Sequence, residues 1–201
     1  MTNIINPILI DIPMPIRTPR LVLRTPQAGD GAIVHDAKVE SQGDLEKWMP
    51  WAKGDIGTVE QTEIVVRENF AKFILRQDMM LLAFNHTGRF IGSTGLHRFD
   101  WEFRSFEIGY WIRSTEHRKG YASEIANALT RFAFGALNAR RVMIAAATAN
   151  TASRKVIEKN GYELESLMKA DHFLPDGSVT GTAQYVRYNI DGLAPLDVMW
   201  G

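Results

Sequence analysis

The sequence predicts a mixed α/β domain of the α+β kind, with a mostly antiparallel central sheet of about seven strands flanked by about four helices. Three observations predict it. Short apolar runs separated by turn residues crowd the stretch 80–112, the pattern of a strand meander. Segments 30–39, 58–76, 120–134 and 151–160 carry helix starts or helical apolar spacing. Only one strand–helix–strand crossover (106–112, 120–134, 141–147) interrupts the antiparallel order, so the regular alternation of a doubly wound sheet is absent.

The elements follow in order. Residues 1–15 are an apolar tail broken by Pro7, Pro13 and Pro15, residues 16–192 one domain, and residues 193–201 a C-terminal tail. Arg20-Leu21-Val22-Leu23-Arg24 alternates between Pro19 and Pro26 as a short strand. Gly29-Asp30 caps a helix to about Val39, and Leu45 to Trp51 has no period and reads as an aromatic loop. Thr58 and Gln61 form a capping-box pattern, followed by Ile64, Phe70, Phe73 and Ile74 on a helix to about Arg76. Strands Met80–Phe84, Phe90–Leu96 and Phe106–Ile112 come next, the first two joined by the turn Asn85-His86-Thr87-Gly88. Ile125, Leu129, Phe132 and Ala133 give the helix Gly120–Phe134 one apolar face. Val142–Ala147 is a buried strand, and the helix Thr151–Asn160 stops at Gly161 in a left-handed turn. Tyr162–Met168 and Gln184–Ile190 close the sheet around a polar loop at Pro175-Asp176-Gly177.

The composition excludes several functions. A chain of 201 residues fits one core. Lys plus Arg and Asp plus Glu both number 23, so no net field draws nucleic acid or an anionic membrane, and any anion site is local. No cysteine is present, which removes disulfides, thiolate metal sites and a cysteine acyl-enzyme, and fits a reducing cytoplasm. No apolar run reaches the ~18 residues of a membrane span, and the tail lacks the basic start of a signal peptide. The five histidines show neither His-x-x-x-His nor His-Glu-x-x-His spacing, so no metal is expected. Gly92-Ser93-Thr94-Gly95 is one residue short of a nucleophile elbow and sits in a strand, which argues against a hydrolase.

Two helix starts carry the chemistry. In His117-Arg118-Lys119-Gly120-Tyr121-Ala122-Ser123 a glycine turn joins an apolar strand to an amphipathic helix, converging backbone N–H groups and the positive helix end on one point. In Asn150-Thr151-Ala152-Ser153 an asparagine caps the next helix and a serine sits three positions on, both aimed beside that point. Such a pair can hold a pyrophosphate without burying an uncompensated charge. Arg118 and Lys119 add cations for direct ion pairs.

These residues resemble the GNAT superfamily of acetyl-CoA-dependent N-acetyltransferases, in its RimJ/RimL branch that acetylates ribosomal protein N-termini. The family's phosphate loop, Gln/Arg-x-x-Gly-x-Gly/Ala, is matched by Gly120 and Ala122, with His117 in the first position. Glu107-Ile108-Gly109-Tyr110-Trp111, the Asn150-x-x-Ser153 helix ending in Gly161-Tyr162, and the loop Trp48-Met49-Pro50-Trp51 match further, so the likeness spans about Ile16 to Ile190. It implies the GNAT fold, with the strand Tyr110-Trp111-Ile112 splayed from 142–147 so that pantetheine pairs with its backbone. It implies acetyl-CoA as cosubstrate, held by Tyr110, Trp111, Ile112, the loop 117–123, Asn150 and Ser153.

Glu107 is the candidate general base, and a β-bulge near Gly109 is expected to bring it and Tyr110 to one cleft. The 110–112 backbone is the oxyanion donor, and Ser153 protonates the leaving sulfur. Trp48 and Trp51 are candidate walls of the acceptor pocket. His172 and Asp171, in the loop before Pro175, are candidate acceptor contacts. The expected activity is direct acetyl transfer to a primary amine, first a protein N-terminal α-amine. The alternatives are a small amine, such as a polyamine or an antibiotic, and an acetyl-CoA-binding module without turnover. The expected partner is the amine acceptor, with neither nucleic acid nor membrane, and the resemblance leaves room for a homodimer.

Overall fold

The computed structural model describes residues 6–201. In chain order the elements are β1 (Ile16–Arg17), β2 (Leu21–Arg24), α1 (Gly31–Leu45), α2 (Val59–Ile74), β3 (Met79–Asn85), β4 (Phe90–Asp100), β5 (Ser105–Ile112), α3 (Tyr121–Ala136), β6 (Arg141–Ala147), α4 (Thr151–Lys159), β7 (Glu163–Phe173), β8 (Val179–Arg187) and β9 (Met199–Trp200). The nine strands form one sheet in the order β7-β8-β6-β5-β4-β3-β2-β1-β9. Only β5 and β6 run parallel, as the single α3 crossover requires.

Alternation along β2 to β8 divides the sheet into two faces. Leu21, Leu23, Leu81, Leu96, Ile108 and Ile144 point at α3, where Ile125, Leu129, Phe132 and Ala133 complete the main core. Met80, Leu82, Phe90 and Trp111 point the other way, packing on Val34 and Ala37 of α1 and Val66 of α2. The predicted faces of α3 and its crossover therefore hold.

Four expectations change. Among the described residues the sheet has nine strands rather than about seven, because two two-residue strands extend its edge: Ile16 and Arg17, at the start of the domain, pair with Trp200 and Met199 of the C-terminal tail. A two-residue strand is too short to show periodicity. Helix α1 runs six residues past Val39, to Leu45, and Asp30 makes no side-chain cap. Asp30 instead takes both guanidinium nitrogens of Arg24, at 2.7 Å each. On α2 the capping box of Thr58 and Gln61 is present, yet Ile64, Phe70 and Ile74 are exposed and Thr62, Val66 and Phe73 carry the buried face. Apolar residues all round that helix obscured which stripe packs. Finally, β7 extends to Phe173 and β8 begins at Val179, so His172 and Asp171 belong to a strand rather than a loop.

From Ile10 onward the N-terminal tail packs on the domain: Ile12 is buried, and Ile10 and Met14 lie against the core. Met1 to Ile5 lie outside the described residues. Among the described residues, no helix is long and apolar enough to cross a membrane.

Candidate active site

The site begins where the sheet splits. β5 and β6 pair only over Ser105–Glu107 and Arg141–Met143. Beyond that, β5 stays with β4 as far as Ile112, and β6 stays with β8 as far as Ala147. The backbone edge of Ile108 to Ile112 on the β6 side is thus left without a strand partner, which a ligand's amides can use.

Both predicted helix starts face this split. Gly120 is the N-cap of α3 at φ 83°, a left-handed conformation that glycine adopts without steric cost. Glu124 is the first residue to donate back into the helix, to the Gly120 carbonyl at 3.1 Å. The amides before it open out of the helix end, where the dipole is positive. On α4, the Asn150 side chain accepts the Ser153 amide at 3.0 Å.

A cavity of about 530 Å³ fills the mouth of the split, lined by Tyr110, Trp111, Ile112, His117, Arg118, Gly120, Tyr121, Ala122, Ser123, Asn150 and Ser153. It gathers every residue expected at the donor except Lys119. That ammonium is turned to Glu116 at 2.9 Å. His117 lines the cavity but is also a staple, its Nε2 2.8 Å from the Ile112 carbonyl and its Nδ1 3.8 Å from Asp44.

Tyr110 crosses the split, its hydroxyl 3.0 Å from Ser153 Oγ. Burial pushes its phenol up to about 12, and the Ser153 bond only partly offsets this. The pair is therefore neutral near pH 7 and has protons to donate.

A second cavity, about 630 Å³ and mostly apolar, lies between the sheet and helices α1 and α2. It meets the first at three shared residues, Met49, Tyr110 and Trp111. Trp51 lines it and tilts against Trp111 with ring centroids 6.2 Å apart, with Lys38 above it. Burial lowers the Lys38 ammonium below the usual lysine range. Thr62 Oγ1 is buried on this wall with no hydrogen-bond partner among the described residues. The two tryptophans expected together are separated: Trp51 lines this cavity, whereas Trp48 lines the first one.

Glu107 requires a correction. The β4–β5 register is regular through Gly95↔Gly109 and His97↔Glu107, and the only irregularity lies between His97 and Asp100, so no bulge occurs at Gly109. Glu107 and Tyr110 accordingly face opposite sides of the sheet. The Glu107 carboxylate is drawn toward Arg98 at 3.4 Å and does not line either cavity. The side chain at this level of the cavity wall is His97, its Nδ1 2.9 Å from both oxygens of Asp78. Neither was singled out from sequence. The available signal was a pair of strand glycines, Gly95 and Gly109, whose adjacency appears only once the register is known. His172 and Asp171 bond each other far along β7 and line neither cavity.

Residues 20–163 match the family of acetyltransferase (GNAT) domains. The chain belongs to the GNAT acetyltransferases. Among curated proteins, this GNAT acetyltransferase is 28% identical over 145 residues to one from Bacillus subtilis named "Putative ribosomal N-acetyltransferase YdaF", covering 71% of this chain and 77% of that one. Its fold is that of RimL, the ribosomal L7/L12 α-N-protein acetyltransferase solved with coenzyme A. The TM-score is 0.82 at 22% identity, over 88% of this chain and 99% of RimL. It is also that of MccE, a microcin C7 self-immunity acetyltransferase solved with acetyl-CoA and AMP. There the TM-score is 0.77 at 16% identity, over 85% and 93% of the two chains.

Proposed function

We propose that this GNAT acetyltransferase moves acetyl from acetyl-CoA directly to a primary amine, and that a protein N-terminal α-amine is the preferred acceptor. One observation carries the reading: two cavities on different sides of the β5 strand meet at Met49, Tyr110 and Trp111. A thioester laid along the open β5 edge ends at that junction, and an amine in the second cavity approaches it from the other side.

The amides from Arg118 to Ser123 receive the diphosphate at the positive end of α3, with the Arg118 side chain as a cation at the rim. The β5 backbone receives the pantetheine amides and donates to the carbonyl oxygen of the acetyl group. The Ser153 and Tyr110 hydroxyls supply a proton to the departing sulfur.

The α-amine preference rests on the ribosomal name of the YdaF relative and on proton energetics. An α-amine of pKa ~7.8 is roughly a quarter neutral at pH ~7.3, whereas a lysine-like amine near 10.4 is neutral about once in a thousand, a difference of ~3.5 kcal/mol. The likeness to MccE, named for microcin immunity, favours a small acceptor as the second reading. Thr62 Oγ1, buried and unpartnered among the described residues, fits a polar acceptor in either case.

Free-thiol release from acetyl-CoA, measured against N-terminal peptides, polyamines and aminoglycosides, tests this. Turnover with α-amine peptides is expected. Turnover with small amines alone overturns the N-terminal reading, and none with any amine overturns acetyl transfer itself.

A further inference from the structure

We propose that the His97–Asp78 pair is the proton acceptor for the attacking amine, with His97 the catalytic residue and Asp78 the positioning residue. This rests on the acetyl-transfer reading above. Three features of the geometry argue it. Asp78, just before β3, holds His97 Nδ1 at 2.9 Å through both carboxylate oxygens. An ionised carboxylate only accepts, so the neutral imidazole carries its proton on Nδ1 and keeps its lone pair on Nε2. No protein group among the described residues bonds Nε2, and both His97 and Asp78 line the acceptor cavity.

The second feature is the bare sheet on which the ring lies. Gly95 and Gly109 are cross-strand partners on the same face. A Cβ added at Gly109 would come 3.0 Å from His97 Cδ2 and 3.2 Å from Nε2. One added at Gly95 would run into the Met79 carbonyl oxygen and come 2.9 Å from His97 Cε1 and 3.0 Å from its Nε2. The two missing side chains form the hollow that lets the imidazole lie along the strands, its Nε2 within reach of both glycine positions. The third feature is direction: along β5, Gly109 is followed by Tyr110 and Trp111, where the two cavities meet.

The step balances without another reactant. The amine nitrogen bonds the acetyl carbon, its proton goes to His97 Nε2, and the C–S bond breaks with its electron pair on sulfur. The sulfur takes a proton from the Tyr110–Ser153 hydroxyls, which regain it from water in the first cavity, and the imidazolium returns the amine's proton to water through the open second cavity. The ionisable groups around the imidazole are Asp78, Glu107 as its cross-strand partner, and Lys38 of α1 and Lys72 of α2 on the opposite wall.

The experiment is the pH dependence of kcat/KM for wild type, His97→Gln, Asp78→Asn and Glu107→Gln, with CoA affinity of each by calorimetry. In wild type both amine and imidazole must be neutral, so the acid limb approaches a slope of about two. In His97→Gln it falls to about one, kcat drops about 100-fold or more, and CoA affinity is unchanged. Asp78→Asn retains part of the activity with the slope preserved. A His97→Gln enzyme with wild-type kcat and slope overturns the proposal, as does loss of that limb in Glu107→Gln alone. A wild type that releases no thiol with any amine overturns the acetyl-transfer reading, and this role with it.

Discussion

Gly120 shows how a single backbone position meets a demand of the fold and, in the proposed function, of the ligand. A side chain there meets open space apart from the Arg20 guanidinium, which would stand 3.4 Å from an added Cβ, so bulk is tolerated and the backbone is what limits substitution. Its φ of 83° costs an L-residue about 1–2 kcal/mol, more for a β-branched one. Gly120→Val is therefore expected to lower Tm modestly and, by turning the loop amides off the split, to weaken CoA binding more than it weakens the fold. Calorimetry beside a thermal melt checks it, and wild-type affinity in a folded variant removes the phosphate role. Tyr110 gives a second test. Its phenol, raised from 10 to about 12 by burial, stays protonated in the fold over a range where the unfolded chain ionises. The stability this contributes is whole below pH 10 and is lost as pH rises toward 12. Tyr110→Phe should flatten part of that alkaline decline and slow thiol release; an identical decline places the burial effect elsewhere.

Among elements, the decisive tie is between α1 and the segment that leads into α3. Glu40 pairs with Arg113 at 2.5 Å and accepts from the Thr115 hydroxyl at 2.7 Å. Ser41 Oγ accepts the Ser114 amide and Asp44 accepts the Ser114 hydroxyl. Residues 113–117 are thereby fixed to a helix just before Gly120 and the start of α3. The Arg113 hydrogen bond is the largest cause holding the Glu40 carboxyl at about 2, below its usual 4.5. Its contribution to stability is present above pH 4.5 and is lost as pH falls toward 2. Glu40→Gln is expected to raise the CoA Kd severalfold with kcat nearly unchanged, and to remove part of the acid destabilisation; unchanged Kd and acid profile would show the tie to be idle. Sequence reading reached α3, α4 and the glycine loop because their caps and periods are local. It did not reach the α1–loop tie, whose partners lie about seventy positions apart, as in Ser41 and Ser114. Nor did it reach β9, too short for a period, or the His97–Asp78 pair, whose meaning depends on which glycines the β4–β5 register sets side by side. The misplaced bulge shows the same limit: a strand glycine signals a bulge or a close approach, and only the register tells which.

For the whole molecule, the split sheet sets where the two substrates of the proposed reaction meet. The donor cavity opens at the β5–β6 divergence, the acceptor cavity opens between α1, α2 and the opposite face, and they join only at Met49, Tyr110 and Trp111. In the proposed reaction both ligands are therefore bound at once, and acetyl passes across the junction without being parked on the protein. The chain has no cysteine to hold it, and Ser153 is engaged by Tyr110 and lacks an adjacent base in the hydrogen-bond network among the described residues. Initial rates with both substrates varied should give intersecting double-reciprocal lines, and acetyl-CoA alone should release no thiol. Parallel lines, or a thiol burst equal to enzyme before amine is added, would show a covalent acetyl-enzyme. Trp51→Ala sharpens the same test, since Trp51 lines only the acceptor side. KM for the amine should rise about tenfold through the lost aromatic wall while CoA affinity holds. A matching loss of CoA affinity would mean that the two cavities are one site.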